Sequence, residues 1–205
     1  MNPALQSIIA QFSVEAQALL DLLEGSRITP KIWRDRMAML LARYHTAALM
    51  AGVGSTAIPD GGILILADTV GSQLGYLNRF YTEVAAAEAF KATWRVRADM
   101  YANSAGASYW DGYIYSKAGK FLPVPATPRD GSSQCLNSCL CNLRVVPLGG
   151  EDFDVYWELG KADHCQTCVE RAAQWSPLKI RDGVLKEWSE YQETAVSTEA
   201  TEEIR

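Results

Sequence analysis

Histidine is nearly missing from this 205-residue chain, which has only His45 and His164. The usual proton shuttle of acid–base and nucleophilic catalysis is therefore scarce. A Gly-x-Ser-x-Gly nucleophile motif is absent, and Gly52-Val53-Gly54-Ser55 lacks the lysine and the preceding strand of a phosphate loop. Long apolar runs are also missing: the longest, Gly61 to Ala67, is too short to span a bilayer. The N-terminus shows no basic start and no secretory apolar region. No concentrated basic stretch is present, and the net charge is -5. That argues against nucleic acid as a main partner, since phosphate binding needs clustered Lys and Arg. These absences point to a non-enzymatic protein used inside a cell, away from membranes and without specific nucleic-acid binding. Asp152 and Asp154 would share a strand face beside Phe153 and read as an exposed strand end.

What is present is helical in the first half. Asn2-Pro3 and Thr29-Pro30 are cap-then-proline start signals. Leu5, Ile8, Ile9, Phe12, Ala16, Leu19, Leu20 and Leu23 make one apolar stripe, ended by Gly25. Trp33, Met37, Leu40, Leu41, Tyr44 and Ala48 make a second, with Gly52 as its stop and His45 as a surface or packing residue. A third helix is expected over 63–87 and a fourth over about 88–115. Gly71 and Gly75 in the third read as tolerated glycines, with close approach of another helix as the alternative. Arg95, Arg97 and Asp99 in the fourth read as a solvated face. Gly106 and Gly112 weaken its second half.

The character changes at Ala118. Gly and Pro recur through Gly131 as an irregular loop. Residues 143–146 and 153–159, separated by Gly149-Gly150, predict a β-hairpin. A short helix over 165–175 should follow, then a turn at Arg181-Asp182-Gly183. Val184, Leu185, Trp188 and Tyr191 would form a last strand or helical turn. The expected class is α+β, mainly α: a helical bundle over 1–117, an irregular β-hairpin module with a cysteine cluster over 118–192, and a flexible acidic tail over 193–205.

All five cysteines, Cys135, Cys139, Cys141, Cys165 and Cys168, fall within 34 residues. In a reducing compartment such clustering reads first as metal ligation. Cys165-Gln166-Thr167-Cys168 can bring two thiolates to one tetrahedral ion, and a second short-spaced pair can complete it. Thiolates suit zinc, in a structural site. The expected ligands are Cys135, Cys139 or Cys141, Cys165 and Cys168, with His164 as a substitute. Disulfides across the same hairpin and free buried thiols are the alternatives. A zinc hydrolase or a thiol oxidoreductase on the Cys165–Cys168 motif is the enzyme alternative, and the pattern around it supplies no βαβ unit.

The block from Pro125 to Cys141, followed by Tyr156-Trp157-Glu158-Leu159 and by His164 to Ala172, resembles tailed-phage head-morphogenesis proteins, the minor capsid proteins of the phage Mu protein F-like group. Arg97 to Trp110 is similar to the helix that precedes the cysteine motif there, and His45 to Gly52 and Gln73 to Phe80 to the N-terminal helices. The likeness covers about residues 30 to 180. It departs in having Leu140 where many members have Arg, and in placing the Cys-x-x-Cys after the Cys-x-Cys. The resemblance implies a virion component, assembled in the cytoplasm of a bacterial host and aiding head assembly or DNA packaging. It would act in few copies near the portal. Its implied partners are portal, major capsid and neck subunits, with homo-oligomerisation also compatible. A connector, neck or capsid-decorating protein is the alternative virion role.

Overall fold

A computed structural model describes residues 2–161 and 163–186. Four long helices come first: α1 (Pro3–Glu24), α2 (Pro30–Val53), α3 (Gly62–Ala86) and α4 (Thr93–Ala118). A 3-10 turn (Leu136–Ser138) precedes β1 (Asn142–Gly149) and β2 (Asp152–Glu158). Helix α5 (Gln166–Gln174), β3 (Leu178–Arg181) and β4 (Val184–Leu185) complete the described chain. The strands form one antiparallel sheet in the order β1-β2-β3-β4. The mainly α, α+β architecture expected from the sequence is therefore present, with the sheet and the cysteines after the helices. Among the described residues, no helix is long and apolar enough to cross a membrane.

Local chemistry explains the helix starts. The Asn2 side chain accepts the Ala4 N–H at 2.8 Å, and Thr29 Oγ1 accepts the Ile32 N–H at 3.3 Å. Each is followed by proline, whose missing N–H costs nothing at the first helical position. The buried side chains then follow the apolar stripes. Leu5, Phe12, Ala16, Leu19 and Leu20 of α1 and Trp33, Met37, Leu40, Leu41, Tyr44 and Ala48 of α2 are all buried. Aromatic rings join the helices: Phe12 stacks on Tyr44 at 4.7 Å, and Trp33 meets Phe80 edge-on at 5.1 Å.

Helix α4 is the central element, packed on α1 and α2. Gly52 does not stop α2, as its local pattern suggested. The helix runs to Val53, and Gly54 takes the left-handed cap with φ 76°. Gly52 and Gly112 instead let the two backbones meet. A Cβ at Gly52 would fall on the Tyr109 carbonyl, and one at Gly112 on the Leu49 carbonyl. A Cβ added at Gly71 or Gly75 would meet nothing within 4 Å among the described residues, consistent with tolerated glycines. Helix α4 begins at Thr93 rather than near Glu88, and Phe90 packs outside it against the Trp94 ring at 5.1 Å.

The charged face of α4 is engaged rather than merely solvated. Asp99 accepts from Ser13 and Gln17 of α1, Arg95 pairs with Asp21 and Glu24, and Arg97 pairs with Glu83 of α3. One hydrophobic core runs from the bundle into the sheet, where Leu143, Val145, Phe153, Val155, Trp157, Leu178 and Ile180 point inward. Asp154 pairs with Arg181 at 2.7 Å and Asp152 accepts the Asp182 N–H, so both carboxylates are spent on turn and sheet. Val184 and Leu185 form β4, while Trp188, Tyr191 and the acidic tail over 193–205 lie outside the described residues.

Candidate metal centre

The hairpin β1–β2 returns the chain so that α5 packs on β2 and reaches the segment before β1, where the Gln166 N–H donates to Gln134 Oε1 and Arg171 to the Ser132 carbonyl. This brings the two cysteine groups together. Cys135, Cys139 and Cys168 have sulfurs within 4.8 Å of one another and can hold a metal ion. Cys168 Sγ lies 3.7 Å from Cys135 Sγ and 3.6 Å from Cys139 Sγ. All five cysteines are free thiols. A disulfide would need sulfurs at about 2.0 Å. Sulfurs about 2.3 Å from one tetrahedral ion stand roughly 3.8 Å apart, close to the separations here.

The remaining thiols surround this triangle unequally. Cys165 precedes the first turn of α5, where its carbonyl accepts the Cys168 N–H at 3.1 Å, and its sulfur stands outside the group of three within 4.8 Å of one another. Cys141, at the start of the hairpin, contacts Cys139 and Cys168 and is buried. His164 does not join: its Nε2 meets the Gly160 carbonyl at 3.0 Å. His45 is far from surface chemistry. It is wholly buried between α2 and α4, with Nδ1 2.8 Å from Ser108 Oγ and Nε2 3.2 Å from Ser104 Oγ. Its role is packing, one of the two readings its sequence context allowed.

The thiols resist shared ionisation in the absence of a cation. Hydrogen bonding to Cys141 and burial push Cys139 up, and burial with the neighbouring Cys165 and Cys139 sulfurs pushes Cys168 up. Burial also raises Cys135. Cys165 behaves oppositely. Burial opposes its ionisation, but backbone N–H groups of Cys168 and Cys135 outweigh that and bring it down to about 7. Cys139 likewise receives the Cys141 backbone N–H. Amides aimed at sulfur favour the thiolate, and a divalent ion would displace the remaining protons.

Sequence reasoning missed Arg129. It sits only 4% exposed, with φ 74°, between the bundle and the cysteine segment. Its guanidinium donates to Asn103 Oδ1 of α4 at 2.8 Å and to the Asn137 carbonyl at 3.1 Å. The Asn137 side chain donates back to the Arg129 carbonyl at 2.8 Å. Burial lowers the Arg129 pKa, while negative charge on Cys139 and Cys135 would favour its cationic form. Gly106 makes room for it, since a Cβ there would overlap the Arg129 side chain. The only sequence signals were a glycine inside α4 and the Asp130-Gly131 turn after the arginine.

No protein-family model, curated protein or solved structure matches the chain. The arrangement therefore speaks through its own chemistry. It is a sulfur-rich, largely buried cluster backed by one arginine, suited to clamping loops together. A tetrathiolate around a divalent ion carries two net negative charges, and a buried guanidinium beside it offsets one of them.

Proposed function

We propose that the chain is a structural, non-enzymatic component of a tailed-bacteriophage particle, a minor capsid or head-morphogenesis protein, whose C-terminal module is fastened by one zinc ion. Cys135, Cys139, Cys165 and Cys168 are the ligands, and Cys141 supports them from the buried side. The observation that carries the zinc reading is the convergence of the Cys135, Cys139 and Cys168 sulfurs within 4.8 Å of one another, Cys168 lying 3.6–3.7 Å from each of the other two, without a disulfide. Cys165 is preferred as the fourth ligand because it forms the Cys-x-x-Cys pair with Cys168 at the start of α5, beside the triangle of Cys135, Cys139 and Cys168 sulfurs. Four thiolates close the coordination sphere, which is the mark of a structural rather than a catalytic zinc.

The virion role is supported by the resemblance of the Pro125–Cys141 block and by the surface of the bundle. Val14, Met39, Ile63, Leu64 and Val96 are each at least 66% exposed. Exposed apolar side chains on several helices suit a protein that is covered by neighbours in an assembly. Portal, major capsid and neck subunits are the partners this reading implies, and the particle is its location. The test is mass spectrometry of purified particles from the bacterial host that encodes the chain, with and without its gene. Presence in heads, together with fewer or empty heads on deletion, is expected. A chain that stays in the lysate while normal filled heads form without it would overturn the reading.

A further inference from the structure

A second feature lies on the other side of the cysteine segment. A cleft of about 470 Å³ opens between α3, α4 and the loop leading into the 3-10 turn. That volume falls in the range of small-molecule sites. Tyr76, Phe80 and Tyr101 supply aromatic surface, and Arg79 of α3 and Arg97 of α4 also line the cleft. Leu136 of the 3-10 turn lines it as well. It is 45% exposed and held at φ 50°, a backbone conformation that a leucine adopts only at a cost.

The two arginines differ in what they already hold. Arg97 lies 4.5 Å over the Phe80 ring and is paired with Glu83 at 2.8 Å. Arg79 rests 4.7 Å from the Tyr76 ring and, among the described residues, has no carboxylate partner. The other acid on the wall, Asp130, is committed to its own loop, accepting from the Thr127 and Ser132 N–H groups. The cleft thus combines aromatic faces, an exposed leucine and, among the described residues, one guanidinium without a carboxylate partner. Neither a helix nor a strand fits such a volume, whereas a ring system of two or three rings does.

We propose that this cleft binds a small aromatic anion, its rings between Tyr76 and Leu136 and its acid group on Arg79. This site does not depend on the zinc assignment. The test uses two fluorescent probes on the full chain: 8-anilinonaphthalene-1-sulfonate and its uncharged analogue N-phenyl-1-naphthylamine. The sulfonate should bind one per chain, about tenfold more tightly than the uncharged probe, a difference of roughly 1.4 kcal/mol. Arg79→Gln should remove that difference and leave the uncharged probe's affinity unchanged. Tyr76→Ala should weaken both probes. Both positions are exposed, so circular dichroism should show an unchanged fold. Equal affinities in the wild type, a preference that survives Arg79→Gln, or no saturable binding would overturn the proposal.

Discussion

Alanine at the interior helical glycines tests the packing of α4 with opposite signs at different positions. In an exposed helix, Gly→Ala gains about 1 kcal/mol from backbone entropy alone. Gly71 has open space around an added Cβ, so Gly71→Ala should realise that gain. At Gly52 and Gly112 the added carbon meets the carbonyl of the facing helix, which cannot rotate away. The α2–α4 interface must then part, at an overpacking cost of roughly 3 kcal/mol or more. Net destabilisation of at least about 2 kcal/mol is expected at each. Gly106→Ala strikes the Arg129 side chain instead and takes away its bonds to Asn103 and Asn137. Two hydrogen bonds from a charged donor are worth about 1.5–3 kcal/mol each, so a net loss near 3 kcal/mol follows. Urea unfolding followed by circular dichroism reads all four. For a chain this size each kcal/mol shifts Tm by roughly 2–4 °C. Hydrogen exchange separates the mechanisms, because Gly106→Ala should loosen residues 129–141 while α1 and α2 stay protected. If Gly52→Ala or Gly106→Ala proves as stabilising as Gly71→Ala, the close approaches described above are wrong.

Other consequences concern metal and pH. Chelation should remove protection from 132–141 and 165–175 while leaving the far-ultraviolet signal of α1–α4 largely intact, measured by hydrogen exchange with and without chelator. Cys165→Ser should lower zinc affinity by about tenfold or more, whereas Cys141→Ser should keep one zinc per chain, both read by competition with a colorimetric chelator. Burial brings His45 from 6.5 down to about 4, so the unfolded state takes up its proton first. Its contribution is complete above pH 6.5 and is lost as pH falls toward 4, by up to about 3 kcal/mol. Asp111 acts in the opposite sense. Desolvation, with Asp130 and Asp68 nearby, pushes it up to about 7, so the folded state binds its proton first and stability rises as pH falls from 7 toward 3.8. Asp111 is only partly buried, so Asp111→Asn should stabilise the protein at pH 8 by a fraction of that shift, about 1–2 kcal/mol, and leave the acid-side loss from His45 exposed in the urea midpoint against pH.

The bundle was legible because its signals are local. Asn2, Pro3, Thr29 and Pro30 act within one turn, and the stripes of α1 and α2 have the helical period. The hairpin was legible from the Gly149-Gly150 break between alternating runs. The third strand was not. Residues Leu178–Arg181 are too few to show a period, and their conformation comes from pairing Phe153 with Ile180. Gly52 misled for a similar reason: a glycine that permits a helix crossing looks, in sequence, like one that ends a helix. The ion pairs of Arg95 and Arg97 and the hydrogen bond from Ser13 to Asp99 join residues 14 to 86 positions apart, which no pattern within α4 reveals. At the cysteine cluster, the grouping and the Cys-x-x-Cys spacing pointed to convergence. His164 is held away by the Gly160 carbonyl four residues earlier, and the burial of Arg129 depends on how the loop 119–141 lies against α4, a path set by tertiary contacts.

Zinc-edge X-ray absorption on the protein purified without added metal addresses the fastening of the C-terminal module most directly. One zinc per chain with four sulfurs at about 2.3 Å is the expected spectrum, and Cys168→Ser should change it. A protein that carries no metal, or whose zinc is ligated by nitrogen and oxygen, would contradict the account.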